Sequence, residues 1–541
     1  MIKKYFKFFL VVCFCLSLLF CVTACGNNSN NTASDGDNSE DTTSTGQPAS
    51  AEENKEVGIQ DRTLTVCFQN AISSFSPDGG SMMGQGQLMR QVFETLFERT
   101  ADGELVPWLA ESYEWVSSTE LVIKLREGIK FNNGEDFTGD DVLYTFKLIQ
   151  DNHSTAFDYV SNIDIAESYV EDGYTVHLVL SAPTPDLCEM LQHPFTGIRC
   201  KSASTDYTVI ESAVGTGPYM IESFVPGASY TLTINENYWN EDAFPHVRTI
   251  VFTVINDGTT RTNEALAGTT NLVYDMNSAD ADLFRDNPDV KYYEAATGGS
   301  EYLTINTNGE NEALKNPLVR EAVFYAIDRD AVVKAGHGTY GKVQTSLFAD
   351  IDGEVDTSEY SGSYDPEKAK SLLEEAGYGE GKISLEITVT NSNQGRMDEA
   401  EAIASQLNAV GINASINPVA GNVCQEMIMQ GTTDMAIYGV TATTFEASMM
   451  LRKYLPDSVY FKMFSLENQE LFDLINEAQE ITDVDERYAM YAEAQELIAQ
   501  SYCAYPLWNM TYSAISTNDI GGFWMSVSYQ QHLLQYVYFE E

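Results

Sequence analysis

The spacing of apolar residues changes period several times along this chain, and each change marks an element. Leu121, Ile123 and Leu125 alternate with polar neighbours as on a half-buried strand. Asn133-Gly134 marks a turn, and Thr138 with Asp141 three residues on predicts a helix start. The helix behind it presents Val142, Leu143, Phe146 and Ile149 on one face. Residues 64–68, 176–180, 230–234 and 249–254 are β-branched, aromatic and alternating, and predict strands. Between residues 383 and 418 the pattern passes from strand (Leu385, Ile387, Val389) to helix (Ile403, Leu407, Val410, stopped by Gly411) and back to strand (Ile412, Ala414, Ile416). That is a βαβ unit, for which a right-handed crossover is expected. Residues 365–377 predict a helix with Asp365 as N-cap, Pro366 at the first position, Ala369, Leu372, Leu373 and Ala376 inward, and Gly377 as the stop. Two more helices are predicted over 468–481 and 484–500, and no repeat of fixed period is visible.

The N-terminus has a different composition. Lys3, Lys4 and Lys7 precede an apolar run over 8–20, then Val22-Thr23-Ala24-Cys25, the layout of a secretory signal peptide over 1–24. The run is too short for a comfortable membrane span. Cys25 after small residues is similar to a bacterial lipobox, which implies diacylation of that cysteine and a tether to the outer face of a cytoplasmic membrane. Residues 25–58 carry almost nothing to bury and predict a disordered linker. Nearly all of the remaining chain reads as folded, too long for one core, so at least two lobes are expected.

The net charge is −50, and removal of the leader's three lysines takes it to −53. Nucleic acid and anionic lipid surfaces are excluded as partners for such a body. Of nine cysteines, five fall in the body (Cys67, Cys188, Cys200, Cys424, Cys503), scattered and without a Cys-x-x-Cys pair, so neither a zinc site nor a disulfide framework is expected. Cys188 and Cys200 are close enough to pair, with buried free thiols as the alternative. No two of the six histidines lie three or four residues apart. There is no nucleophile elbow, Walker loop, zinc-protease helix or dinucleotide fingerprint, so no catalytic residue, metal or cofactor is expected.

Five phrases occur in order along the body: FETLFERTADGELVPWLAESYEW (93–115), LVIKLREGIKFNNGEDFTGDDVLYTFKLI (121–149), GTGPYMIESFVPG (215–227), LVREAVFYAIDRDAVV (318–333) and YDPEKAKSLLEEAGY (364–378). In these the chain resembles the family 5 solute-binding proteins, which collect peptides, nickel chelates or similar solutes for ATP-driven import. The resemblance implies an α/β fold of the periplasmic-binding-protein type II class, with two hinged lobes and an extra subdomain in the first. Lobe one is expected over 59–298, including the extra subdomain near 100–206; lobe two over 299–504; and a C-terminal return to lobe one over 505–541. A monomer, partnered by an ABC permease and its ATPase subunits, is implied.

In such proteins the solute lies between the lobes. Candidate walls are loops expected to leave strands at the cleft edge, 70–80, 439–450 and 505–512, with Asn70, Ser73, Ser74, Phe75, Gly439, Thr441, Thr443, Thr444, Phe445, Glu446 and Trp508 as candidate contacts. Their hydroxyls and flat apolar faces suit a solute held by neutral hydrogen bonds and stacking. Many peptide-binding members carry an aspartate in the second segment that pairs with the peptide's ammonium; here threonine occupies that place. Either Glu446 substitutes, or the amine is read elsewhere, or the solute is an oligosaccharide, a metal chelate or another small organic molecule. A surface hydrolase or sensor on the same fold is the minor alternative.

Overall fold

The predicted strand–turn–helix forms as Glu120–Leu125 followed by Gly139–Asn152. In this computed structural model the residues described are 58–540 apart from 80, 81, 102, 275, 277, 380, 443 and 526–532. The leader, Cys25, all but the last residue of the linker, and Thr443 therefore lie outside the described residues. The Asp141 carboxylate accepts from the Thr138 N–H (2.9 Å) and hydroxyl (3.0 Å), and its other oxygen accepts from the Lys201 N–H (2.9 Å). Asp141→Ala would orphan donors at a buried helix start, and we expect a loss of about 2 kcal/mol in urea unfolding. Asp141→Asn, which keeps an acceptor oxygen, should lose less.

An eleven-stranded sheet carries the body. From one edge its order is Ile412–Val419, Ile383–Thr390, Met435–Thr441, Val290–Ile305, Ala504–Thr517, Leu272–Tyr274, Gln60–Phe68, Val247–Val254, Ser229–Ile234 and Tyr219–Val225, with Lys342–Val343 added beside Ala504–Thr517. The predicted βαβ unit is present: Ile383–Thr390 and Ile412–Val419 pair in parallel on either side of the chain's helix Gln394–Ala409. The helices Pro366–Glu375, Gln469–Ala478 and Val484–Gln500 start at Asp365, Asn468 and Asp483, whose side chains each accept from a first-turn N–H.

Two long strands in the middle, Val290–Ile305 and Ala504–Thr517, run antiparallel and join the halves of the sheet. Their pairing slips between Ala296 and Gly299 and again between Glu301 and Tyr302. At the first slip Gly298 has φ +64°, a conformation that favours glycine. Separate cores lie on each side: Leu303, Ile305, Val323, Ile387 and Ile403 on one, Leu64, Val66, Phe68, Ile250 and Phe252 on the other. A third core, including Leu121, Ile123, Leu125, Phe137, Val142 and Phe146, belongs to the segment with its own four-stranded sheet.

One expected loop is strand and another begins as strand. Gly439, Val440 and Thr441 continue Met435–Thr441 because Val290–Ile305 supplies partners, Glu301 opposite Gly439 and Gly299 opposite Thr441. Residues 505–512 lie inside Ala504–Thr517 for the same reason, paired along the other edge of that strand. The five body cysteines are buried and none forms a disulfide, so Cys188 and Cys200 are thiols.

Candidate functional site

The long strand Val290–Ile305 gathers one group of the candidate residues. Glu301 lies opposite Gly439 on one side and Trp508 on the other, and Gly299 lies opposite both Thr441 and Met510. The Trp508 indole N–H donates to Glu301 Oε1 at 2.9 Å, and its ring lies 3.9 Å from the His337 ring. Trp508 is thus 7 % exposed, with its polar edge and one neighbour already engaged. Phe445 has φ +56° and is buried; a Cβ added at Gly298 would come within 3.0 Å of its ring. The Phe445 backbone carbonyl accepts from the Asp352 N–H (2.7 Å), and the Asp352 carbonyl from the Ala447 N–H (2.8 Å), which fixes the turn. Thr444 is buried with its hydroxyl unpaired.

Residues 70–79 sit on the other half and fold back on themselves. Gln85 Nε2 donates to the Ser74 carbonyl at 2.9 Å, and the Ser73 hydroxyl, exposed as a residue, donates to the Gly79 carbonyl. Phe75 is buried edge-on against Phe224, ring centroids 4.9 Å apart, in the core that holds Phe68. Asn70 is half-buried, and its carbonyl stands where a side chain at Gly84 would go.

Glu446 is turned inward. Its Oε1 lies 3.2 Å from Arg487 Nε, inside a buried ionic network. Asp186 accepts from the Ser448 hydroxyl (2.8 Å) and from both terminal nitrogens of Arg452 (2.7 and 3.2 Å). Arg99 spans Glu189 (2.8 Å) and Asp352 (2.7 Å). Burial pushes Glu189 up to about 7 against the pull of Arg99. Glu446 is pushed up as well, by burial and by the charges of Asp186 and Glu189, with Arg487 opposing. The network ties Arg99, Asp186 and Glu189 to Asp352, Glu446, Arg452 and Arg487 across the fold. Apart from Glu446, sequence reasoning missed it, since no two of its ion-pair partners are near in sequence.

A second missed cluster surrounds Glu301. Arg396 Nε is paired with Glu301 Oε2, and His337 Nε2 faces Glu301 Oε1 at 3.8 Å and Glu399 Oε1 at 3.2 Å. Burial raises Glu301, but His337, Arg396 and the Trp508 N–H outweigh it and hold that carboxyl low. The same two carboxylates hold His337 high against its own burial, while burial and the Glu301 charge push Glu399 up. One signal was available, a lone acid in the otherwise uncharged stretch Gly298–Asn306. No conventional catalytic arrangement is assembled by either cluster.

The family description "Bacterial extracellular solute-binding proteins, family 5 Middle" matches residues 104–461. The glutathione-binding protein GsiB of Escherichia coli (strain K12) is 26% identical over 481 residues, 86% of this chain and 92% of that protein. Among solved structures, the MppA periplasmic murein tripeptide binding protein in its unliganded open form superposes with a TM-score of 0.79 at 19% identity, over 89% of this chain and 98% of that one. DppA from Helicobacter pylori in complex with the peptide STSA gives 0.67 at 22% identity, over 90% and 99%. The fold is accordingly that of the periplasmic binding proteins. By the extent of its match, this chain belongs to the bacterial extracellular solute-binding proteins of family 5.

Proposed function

We propose that this protein captures a short peptide or peptide-like solute between its lobes and delivers it to an ABC permease driven by ATPase subunits. The observation that carries the reading is the relationship to a glutathione-binding protein over 86% of the chain. Glutathione is itself a peptide with an unusual linkage, and this fits a second segment that has threonine where many peptide binders carry aspartate. Glu446, held by Arg487, is occupied within the protein, so the ammonium reading through Glu446 has little support. Recognition through hydroxyls and backbone groups at Thr441, Thr444 and the segment 70–80 fits better, with Asn70, Ser73, Ser74, Gly439 and Thr443 as further contacts.

In this reading lobe one spans 59–298 with its subdomain at 100–206, lobe two spans 299–504, and the chain returns to lobe one from 505. No helix among the described residues is long and apolar enough to cross a membrane. Attachment would come from two acyl chains on Cys25, which anchor stably where one does not. The body acts as a monomer outside the cytoplasmic membrane.

Native mass spectrometry of the chain from Gly26, purified without denaturation, tests the solute. Short peptides or glutathione-like thiol peptides among the released masses support the reading. A single discrete non-peptide mass overturns the peptide assignment and favours an oligosaccharide or chelate. Loss of membrane association in Cys25→Ser tests the anchor.

A further inference from the structure

Glu301, His337 and Glu399 come from three separate elements: the long strand Val290–Ile305, the last position of the helix Arg329–His337 and the helix Gln394–Ala409. One donor atom from each falls within 4.8 Å of the others. His337 Nε2 stands 3.2 Å from Glu399 Oε1 and 3.8 Å from Glu301 Oε1. Ligand atoms bound at about 2.0–2.2 Å to a tetrahedral ion lie roughly 3.3–3.5 Å apart, so these separations bracket a metal's requirement.

The hydrogen bonding points the same way. Glu399 is 0 % exposed, and apart from the ion pair between its Oε1 and His337 Nε2 neither of its oxygens nor that nitrogen has a well-aligned hydrogen bond. Buried polar atoms in such a position call for a cation or a shared proton. Glu301 is already held from outside the cluster by the Trp508 N–H on one oxygen and Arg396 on the other, as the carboxylate ligands of metal sites are. The helices meet closely because Gly336 has no side chain: a Cβ there would lie 2.6 Å from Glu399 Cγ and 2.8 Å from the Gly395 carbonyl.

We propose that Glu301, His337 and Glu399 form a binding site for a divalent transition-metal ion of the zinc type. One imidazole and two carboxylates suit such an ion better than calcium or magnesium, which prefer oxygen alone. Three protein donors leave a position for water or for a donor atom of the solute. Binding displaces any proton from His337 Nε2, so uptake weakens in acid. The inference stands on these residues and not on the identity of the solute.

The test uses the full chain from Gly26, stripped with chelator and titrated with Zn2+ alone by calorimetry, then with Co2+ alone in the visible spectrum. One ion per chain is expected, with Glu399→Gln and His337→Gln each weakening uptake by at least about tenfold. No uptake by the wild-type chain overturns the proposal and leaves a cluster neutralised by protons. Uptake that survives both substitutions overturns it too, because it then belongs to other groups. Should either variant fail to fold, the wild-type Co2+ spectrum decides: strong four- or five-coordinate bands support the site, and the weak bands of hydrated Co2+ refute it.

Discussion

Glu94→Ala should lower stability by roughly 3–5 kcal/mol, the cost of removing one partner from a buried ionic or charge-assisted network. Glu94 is buried, and its two oxygens accept from four side chains: Trp108 Nε1 (2.7 Å), Tyr238 Oη (3.0 Å), Thr216 Oγ1 (2.7 Å) and Trp239 Nε1 (2.9 Å). Alanine would leave all four donors unpaired in a space water enters poorly. Glu94→Gln keeps the shape but turns an amide N–H₂ toward donors, so it should recover only part of the loss. Urea unfolding followed by tryptophan fluorescence is well suited, because two of the donors are themselves tryptophans. A change below about 1 kcal/mol for alanine would mean that water replaces the carboxylate and that this centre contributes little.

The same carboxylate accounts for how much of the fold was legible. The phrase at 93–115 supplies Glu94 and Trp108, and the phrase at 215–227 supplies Thr216. Tyr238 and Trp239 follow a few residues after the strand predicted at 230–234. Far-apart words of the sequence thus meet on one buried group, which is why they identify the fold together although none shows its purpose alone. Local rules read the capped helices and the βαβ unit correctly because their signals lie within a few residues of each other. They failed at Gly439, Thr441 and 505–512, where glycine, threonine and proline suggest loops but long-range pairing to Val290–Ile305 imposes strand. The candidate aromatics were recognisable as residue types; that Trp508 would spend its N–H on Glu301, and Phe445 its ring beside Gly298, depended on tertiary neighbours.

Asp186→Ala should be the other large loss, again roughly 3–5 kcal/mol, because it leaves the Arg452 guanidinium and the buried Ser448 hydroxyl without their carboxylate. Its effect should also be mechanical: Asp186–Arg452 and Arg99–Asp352 join the segment with its own sheet to the half that contains Glu446, and a hinge motion that parts them must break both. Small-angle scattering of the solute-free variant should therefore show a larger radius of gyration than the wild type. An unchanged radius together with unchanged stability would remove these pairs from any role in holding the halves together. The network also sets a pH dependence. It holds four acids (Asp186, Glu189, Asp352, Glu446) and three arginines (Arg99, Arg452, Arg487), so one carboxyl lacks a full counter-charge. Glu189, raised from 4.5 to about 7, binds its proton more tightly in the folded protein than in the unfolded chain. Folding then takes up a proton between those values, and this group's contribution weakens as pH rises from about 5 to 8, by about 3 kcal/mol at most. Glu189→Gln, neutral throughout, removes that slope. The stability of the wild type minus that of Glu189→Gln should fall as pH rises across this window and flatten below the unfolded value. A difference that rises instead would mean that Arg99 dominates burial and that the carboxylate is ionised at neutral pH.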